Sequence, residues 1–123
     1  MPVRRRLLLI EDDVGQVALV QRYLGAAGFE ILHLDSPIGA TNAARSFRPD
    51  VVLLDLDLPG FSGDKLLPLL RKHGIFAPVI FYSAADPAVL RSAATKAGAA
   101  AWLSKSAALD ELLALLFQTA ASP

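Results

Sequence analysis

Short strand-like runs alternate with longer amphipathic stretches along the whole chain. The runs fall at residues 6–10, 30–34, 51–54, 79–82 and 100–103. Those at 51–54 and 79–82 are apolar on both sides, the pattern of parallel strands covered on two faces. Val17, Val20, Leu24 and Ala27 recur at steps of three and four, which predicts a helix from Val14 to about Ala27. Asp13 can cap its start and Gly28 can end it. Ser36-Pro37 reads as an N-cap and first helical residue for a second helix, about Pro37 to Phe47, which Gly39 and Asn42 weaken. A third helix is predicted from about Gly63 to His73, with Ser62 as cap, Gly74 as stop and a kink near Pro68. A fourth starts at Asp86-Pro87 and ends before Gly98. The fifth begins after Ser106 and reaches about Thr119.

Five strands alternating with five helices predict an α/β fold, a doubly wound parallel sheet with helices on both faces. Right-handed crossovers leave few topologies, of which the flavodoxin-like order 2-1-3-4-5 is favoured. Residues 1–123 suit one domain and leave no room for a separate effector module. A hydrophobic content of 54% argues against disorder. Twelve basic and twelve acidic residues give net charge +0, so bulk charge draws no nucleic acid. The absence of cysteine excludes disulfides, thiolate metal sites and cysteine catalysis. Arg4-Arg5-Arg6 precedes only four apolar residues before three acids, too few for a signal peptide. No run approaches the roughly 20 apolar residues of a membrane span. A soluble, cytoplasmic protein is expected.

In such sheets ligands bind outside the carboxyl ends of the strands. Asp55 ends the most apolar run, Val51-Val52-Leu53-Leu54, and Glu11-Asp12-Asp13 ends Leu7-Leu8-Leu9-Ile10. Ser83 and Lys105 follow two further runs. A carboxylate can attack phosphorus if the repulsion between two anions is neutralised. Mg²⁺ does so through hard oxygen ligands, which Glu11 and Asp12 can supply beside Asp55. Lys105 can pair with one phosphoryl oxygen and Ser83 can donate to another. Backbone amides just past the two strand ends, at Asp57 and Ala84, add donors. Each residue alone has an ordinary explanation: Asp13 as a cap, Ser83 as a turn hydroxyl, Lys105 as a solvated amine. Together they bring complementary groups to one rim.

The motifs carry a resemblance. Leu8-Leu9-Ile10-Glu11-Asp12-Asp13 is similar to the first strand and acidic pair of the receiver domain of two-component response regulators. Pro49-Asp50-Val51-Val52-Leu53-Leu54-Asp55-Leu56-Asp57-Leu58-Pro59-Gly60, with Gly63, resembles its phosphoacceptor segment. Val79-Ile80-Phe81-Tyr82-Ser83-Ala84 resembles its hydroxyl strand, and Ala97-Gly98-Ala99-Ala100-Ala101-Trp102-Leu103-Ser104-Lys105 its fifth strand and lysine. The likeness covers essentially all 123 residues.

The resemblance implies a signalling module rather than an enzyme, with at most self-catalysed phosphotransfer and autodephosphorylation. Asp55 would accept a phosphoryl group from a phosphohistidine on a histidine kinase or histidine phosphotransfer protein. Asp12 would ligate Mg²⁺ (or Mn²⁺) directly and Glu11 through water. Asp55 and the backbone carbonyl of Asp57 would complete the protein ligands. Lys105 would bridge to the phosphoryl group, Ser83 would move toward it, and Trp102 would repack into the vacated space. Three departures stand out. Ser106 occupies the position where the family usually has a proline joined by a cis bond; a cis bond before another residue costs about 3–4 kcal/mol, so a trans loop is expected and Ser106 becomes a candidate cap for the last helix. Asp57 and Ala85 occupy positions that tune phosphoryl lifetime in the family, and the Asp57 side chain reads most simply as a solvated loop acid. Trp102 is larger than the aromatic residue often found there.

Two other readings compete. Asp55-Leu56-Asp57 has the Asp-x-Asp form of haloacid dehalogenase-like phosphatases, but position 59 is Pro rather than Thr and the motif lies on the third strand. A degenerate receiver acting as a binding scaffold is the other. In the last helix Leu109, Leu112, Leu113 and Leu116 can face the sheet, while Leu115 and Phe117 fall partly outside that stripe; a homodimer through this helix and the adjacent face is the corresponding expectation. His33 and His73 are expected far from the acids, on an edge strand and at a helix end.

Overall fold

The computed structural model describes residues 4–58 and 65–120. Ten elements alternate: β1 (Arg5–Ile10), α1 (Val14–Ala26), β2 (Phe29–Leu34), α2 (Ala40–Phe47), β3 (Val51–Asp55), α3 (Leu66–Lys72), β4 (Val79–Ser83), α4 (Pro87–Ala97), β5 (Ala101–Ser104) and α5 (Leu109–Thr119). The strands form one sheet in the order β2-β1-β3-β4-β5, parallel at every pairing. This is the doubly wound, flavodoxin-like arrangement that the alternation predicts.

The period of two along each strand divides the interior into two layers. Leu8, Ile10, Val52, Leu54, Val79 and Phe81 pack toward α2, α3 and α4. Leu7, Leu9, Val51, Leu53, Ile80 and Tyr82 pack toward α1 and α5, where Val17, Val20, Leu24, Leu112 and Leu116 close the layer. Every side chain of β3 and β4 is buried, so the two central strands form a rigid floor that ends in Asp55 and Ser83. Among the described residues no helix is long and apolar enough to cross a membrane.

Local chemistry sets the helix ends. The Asp13 carboxylate accepts from the Gln16 amide at 2.9 Å and caps α1. Asp86 caps α4 by accepting from Ala88, with Pro87 at the first helical position. Gly98 ends α4 at φ +78°, a conformation that costs glycine little. Asp13→Ala is expected to destabilise the domain by about 1 kcal/mol, seen as a lower urea midpoint with an unchanged slope.

Two expectations are corrected, and a third falls partly outside the described residues. Helix α2 starts at Ala40, after Gly39 in the left-handed region, and Ser36 instead accepts from the Ile38 amide in a turn. Pro37 therefore belongs to the connection, where its fixed φ serves a turn as well as a helix start. Helix α3 begins at Leu66, so Pro68 falls in the first turn. A proline is best tolerated in that position, and the backbone at 61–64 that a kink there would involve lies outside the described residues. The expected start at Ser62-Gly63 lies outside the described residues. Finally, α5 is preceded by Ala108 without a side-chain cap, and Ser106 meets Ser104 instead, hydroxyl to hydroxyl at 2.8 Å.

Candidate functional site

Register brings the chemistry together. Ile10 lies beside Leu54, so Glu11, the first residue past β1, stands beside Asp55. The Glu11 N–H continues the ladder by donating to the Leu34 carbonyl at 3.0 Å. Ser83 lies beside Ser104, and the Lys105 N–H donates to the Ser83 carbonyl at 2.9 Å. The Lys105 ammonium then reaches back across the rim, 2.6 Å from Glu11 Oε1 and 3.3 Å from Asp55 Oδ2. Asp55 Oδ1 accepts from the Asp57 amide at 2.9 Å. Glu11 Oε2 accepts from the amides of Asp12 and Asp13 at 3.1 and 3.3 Å. Glu11 and Asp55 are 1% and 3% exposed, whereas Asp12 faces solvent.

Two buried carboxylates thus share one ammonium, an arrangement short of positive charge. Burial first, and then the neighbouring Asp55, push the Glu11 carboxyl up to about 7 against the opposing pull of Lys105. Burial works against the Lys105 charge, but the hydrogen bond to Glu11 and the charges of Asp55 and Glu11 outweigh it and raise its pKa. Glu11 Oε1 and Asp55 Oδ2 are both drawn to this one ammonium, which leaves the cluster with more anionic oxygens than cations to meet them. One carboxylate oxygen each from Glu11, Asp12 and Asp55 lies within 4.8 Å of the others. An all-oxygen, anionic donor set fits Mg²⁺ or Mn²⁺. A proton on Glu11 competes with such an ion, so Mg²⁺ affinity is expected to fall as pH drops through about 7. The slope approaches about tenfold per pH unit for one displaced proton. Titration of tryptophan fluorescence between pH 5.5 and 8.5 reads this, and Glu11→Gln should flatten it.

The hydroxyl of Ser83 donates to the Asp57 carboxylate at 2.7 Å and accepts from the Ala85 amide at 3.0 Å. Asp57 is therefore more than a solvated loop acid with only its main chain involved: its side chain holds the serine. Ala84 is exposed just past β4. Trp102 lies beside Phe81 in the sheet and packs, half-buried, against the layer under α4. The Lys105–Ser106 bond is trans, in keeping with the absence of any cis bond among the described residues.

Two neighbours of the site were given no part in it by the sequence. Tyr82 is buried in β4 with its ring 5.8 Å from the Lys105 ammonium, within range of a cation–π contact, and its hydroxyl accepts from Gln16 at 3.1 Å. The signal was a lone polar atom in an otherwise apolar run. His33 is the second, and here the expectation is corrected: its Nε2 lies 2.7 Å from the Glu11 backbone carbonyl. Pairing of β2 with β1 places His33 beside Leu9, near the acidic end of the sheet rather than far from it. His73 closes α3 as its C-cap, a helix end as expected.

The profile of the response regulator receiver domain matches residues 7–117, a range that contains every residue of this site. The chain belongs to the response regulator receiver family. It is 38% identical over 111 residues to the transcriptional regulatory protein KdpE of Mycobacterium tuberculosis, covering 89% of this chain and 49% of that protein. It is 33% identical over 114 residues to an uncharacterized 76.5 kDa protein of Thiocystis violacea, covering 91% of this chain and 16% of that protein. The chain therefore spans half or less of the length of these relatives. The BeF₃-activated receiver domain of Klebsiella pneumoniae RstA superposes with a TM-score of 0.84 at 26% identity, covering 94% of this chain and 97% of that one. The receiver domain of the Francisella response regulator 1452 gives 0.84 at 25% identity, covering 94% and 96%. As a receiver domain the chain is a signalling module of two-component systems.

Proposed function

We propose that residues 1–123 form a single receiver unit that takes a phosphoryl group onto Asp55 from a phosphohistidine of a histidine kinase or histidine phosphotransfer protein. The observation that carries this reading is the Lys105 ammonium spanning Glu11 and Asp55 at the rim. An Asp55 oxygen attacks phosphorus, a P–O bond forms as the P–N bond breaks, and the imidazole leaves. Glu11, Asp12, Asp55 and the main-chain carbonyl of Asp57 would hold Mg²⁺ or Mn²⁺, which supplies charge neutralisation between the two anions. Lys105 moves from carboxylate to phosphoryl oxygen, the main chain at Asp57 and Ala84 orients the group, and Ser83 donates to it. Release of Ser83 and repacking of Trp102 form the switch read by a protein partner. The proposed setting is cytoplasmic, with output through protein contacts rather than direct contact with nucleic acid or membrane.

Phosphotransfer profiling against candidate kinases tests this. A single labile phosphoryl per chain, lost in Asp55→Asn, marks the receiver. Sustained turnover of an aryl phosphate would instead mark a haloacid dehalogenase-like phosphatase, and no labelling by any donor a binding scaffold. The Asp57–Ser83 bond sets a further expectation. Asp57→Ala frees the hydroxyl from a charged acceptor, a bond worth about 1.5–3 kcal/mol. Affinity for beryllofluoride should rise by about tenfold or more; unchanged affinity would show that Asp57 does not compete for the serine.

Self-association through α5 and the adjacent face belongs to the same reading. Phe117 remains partly exposed, but its ring lies 5.2 Å from that of Phe29 and under Arg5, and Leu115 packs against the core. Size-exclusion chromatography with light scattering, with and without beryllofluoride, decides: a strict monomer in both states removes the dimer.

A further inference from the structure

We propose that the groove between α2 and α3 docks an acidic peptide segment that carries bulky apolar side chains. Two adjoining pockets of about 440 and 370 Å³ open there and share Arg45 and His73. Ile38 and Leu69 line the first and Phe76 the second. These three side chains stand 87%, 40% and 72% exposed, a cost in water that an apolar partner removes. The first pocket includes the connection that follows β2, the second the connections that precede β3 and β4. The groove therefore runs from the carboxyl ends of the strands toward their amino ends along α2, whose eight residues span about 12 Å.

Charge selects the partner. The ionisable residues lining the two pockets are Arg45, Arg48 and His73, with no acid among the described lining residues. None of the three takes part in an ion pair among the described residues. The chain as a whole is balanced at twelve basic and twelve acidic residues, so this is local segregation. A nucleic acid would satisfy the arginines and leave Ile38, Leu69 and Phe76 in water. An acidic segment with interspersed apolar residues satisfies both, in the manner of a peptide seated in a groove.

The test is selection from a random twelve-residue peptide library on the immobilised full chain, with the double variant Arg45→Glu, Arg48→Glu as counter-target. The expected pool is rich in Asp and Glu interspersed with Leu, Phe or Trp. A synthetic peptide from it should shift the backbone amide resonances of residues 38–45 and 69–77. Its affinity should fall by about tenfold or more in the double variant, whose charges it was selected to meet, and likewise in Phe76→Ser. Both arginines are exposed, and an unchanged Mg²⁺ titration confirms that the variant is folded. A pool without acidic enrichment, shifts confined to another face, or equal affinity for the double variant overturns the proposal. So does tighter binding of a single-stranded oligonucleotide than of any selected peptide, or a dimer that the double substitution disperses.

Discussion

Asp55→Asn is expected to reduce phosphoryl incorporation to the level of a control without donor, while the protein stays folded. The amide keeps the shape of the carboxylate and can still accept from the Asp57 amide, but it is no nucleophile toward phosphorus. The substitution also relieves strain. Glu11 and Asp55 are buried together with a single ammonium between them, and Asp55 is one reason that the Glu11 carboxyl is raised to about 7. Removing one of the two anions should bring Glu11 back toward the ordinary carboxylate range and leave the melting temperature at or above that of the parent in EDTA at pH 8. Loss of labelling together with loss of stability would point to unfolding and leave the nucleophile unassigned; retained labelling would place it elsewhere.

Lys105→Met should have the second largest effect, on both rate and stability. Loss of a preorganised cation at a developing charge costs about 10²–10³ in rate, read as phosphorylation by acetyl phosphate in saturating Mg²⁺. The same substitution leaves two buried carboxylates uncompensated, and breaking a buried pair in this way costs about 3–5 kcal/mol. The sign of the pH dependence follows from Glu11. Its folded pKa of about 7 lies above its ordinary value of 4.5, so the folded state holds a proton that the unfolded state has lost, and stability falls as pH rises through that window. In the variant the pull of Lys105 is gone and the effect strengthens. Denaturation at pH 8 should show the full loss, pH 5.5 a much smaller one, and Mg²⁺ at pH 8 should restore part of it. Equal loss at both pH values would mean that the lysine acts through packing of its stem.

The parts of the site that were legible were those that strands deliver. An apolar run that stops at an acid fixes where a carboxylate sits, because a buried strand has nowhere to place it except at its end. Parallel order then brings Glu11 beside Asp55 and Lys105 beside Ser83 without any knowledge of the loops. The loops carried what was missed. Whether the Asp57 side chain turns to water or to Ser83 depends on a few backbone angles past β3 that composition does not encode. His33 was misplaced because a strand on the sheet edge was treated as remote, although pairing with β1 brings it level with the acidic end. The start of α2 was misread because Ser-Pro serves a turn and a helix N-terminus equally well, and the glycine at position 39 decided between them. Ser106 was read as a cap from its residue type; its hydroxyl found Ser104 first.

The residues of the site stand on the tips of neighbouring strands or within two residues beyond them, and none is supplied by the outward side of a helix. Substitutions on the domain's exterior can therefore accumulate with little disturbance of the cluster of acids, serine and lysine at the rim. If the proposed chemistry holds, such a layout would let the same trigger be fitted with new listeners simply by redecorating the shell.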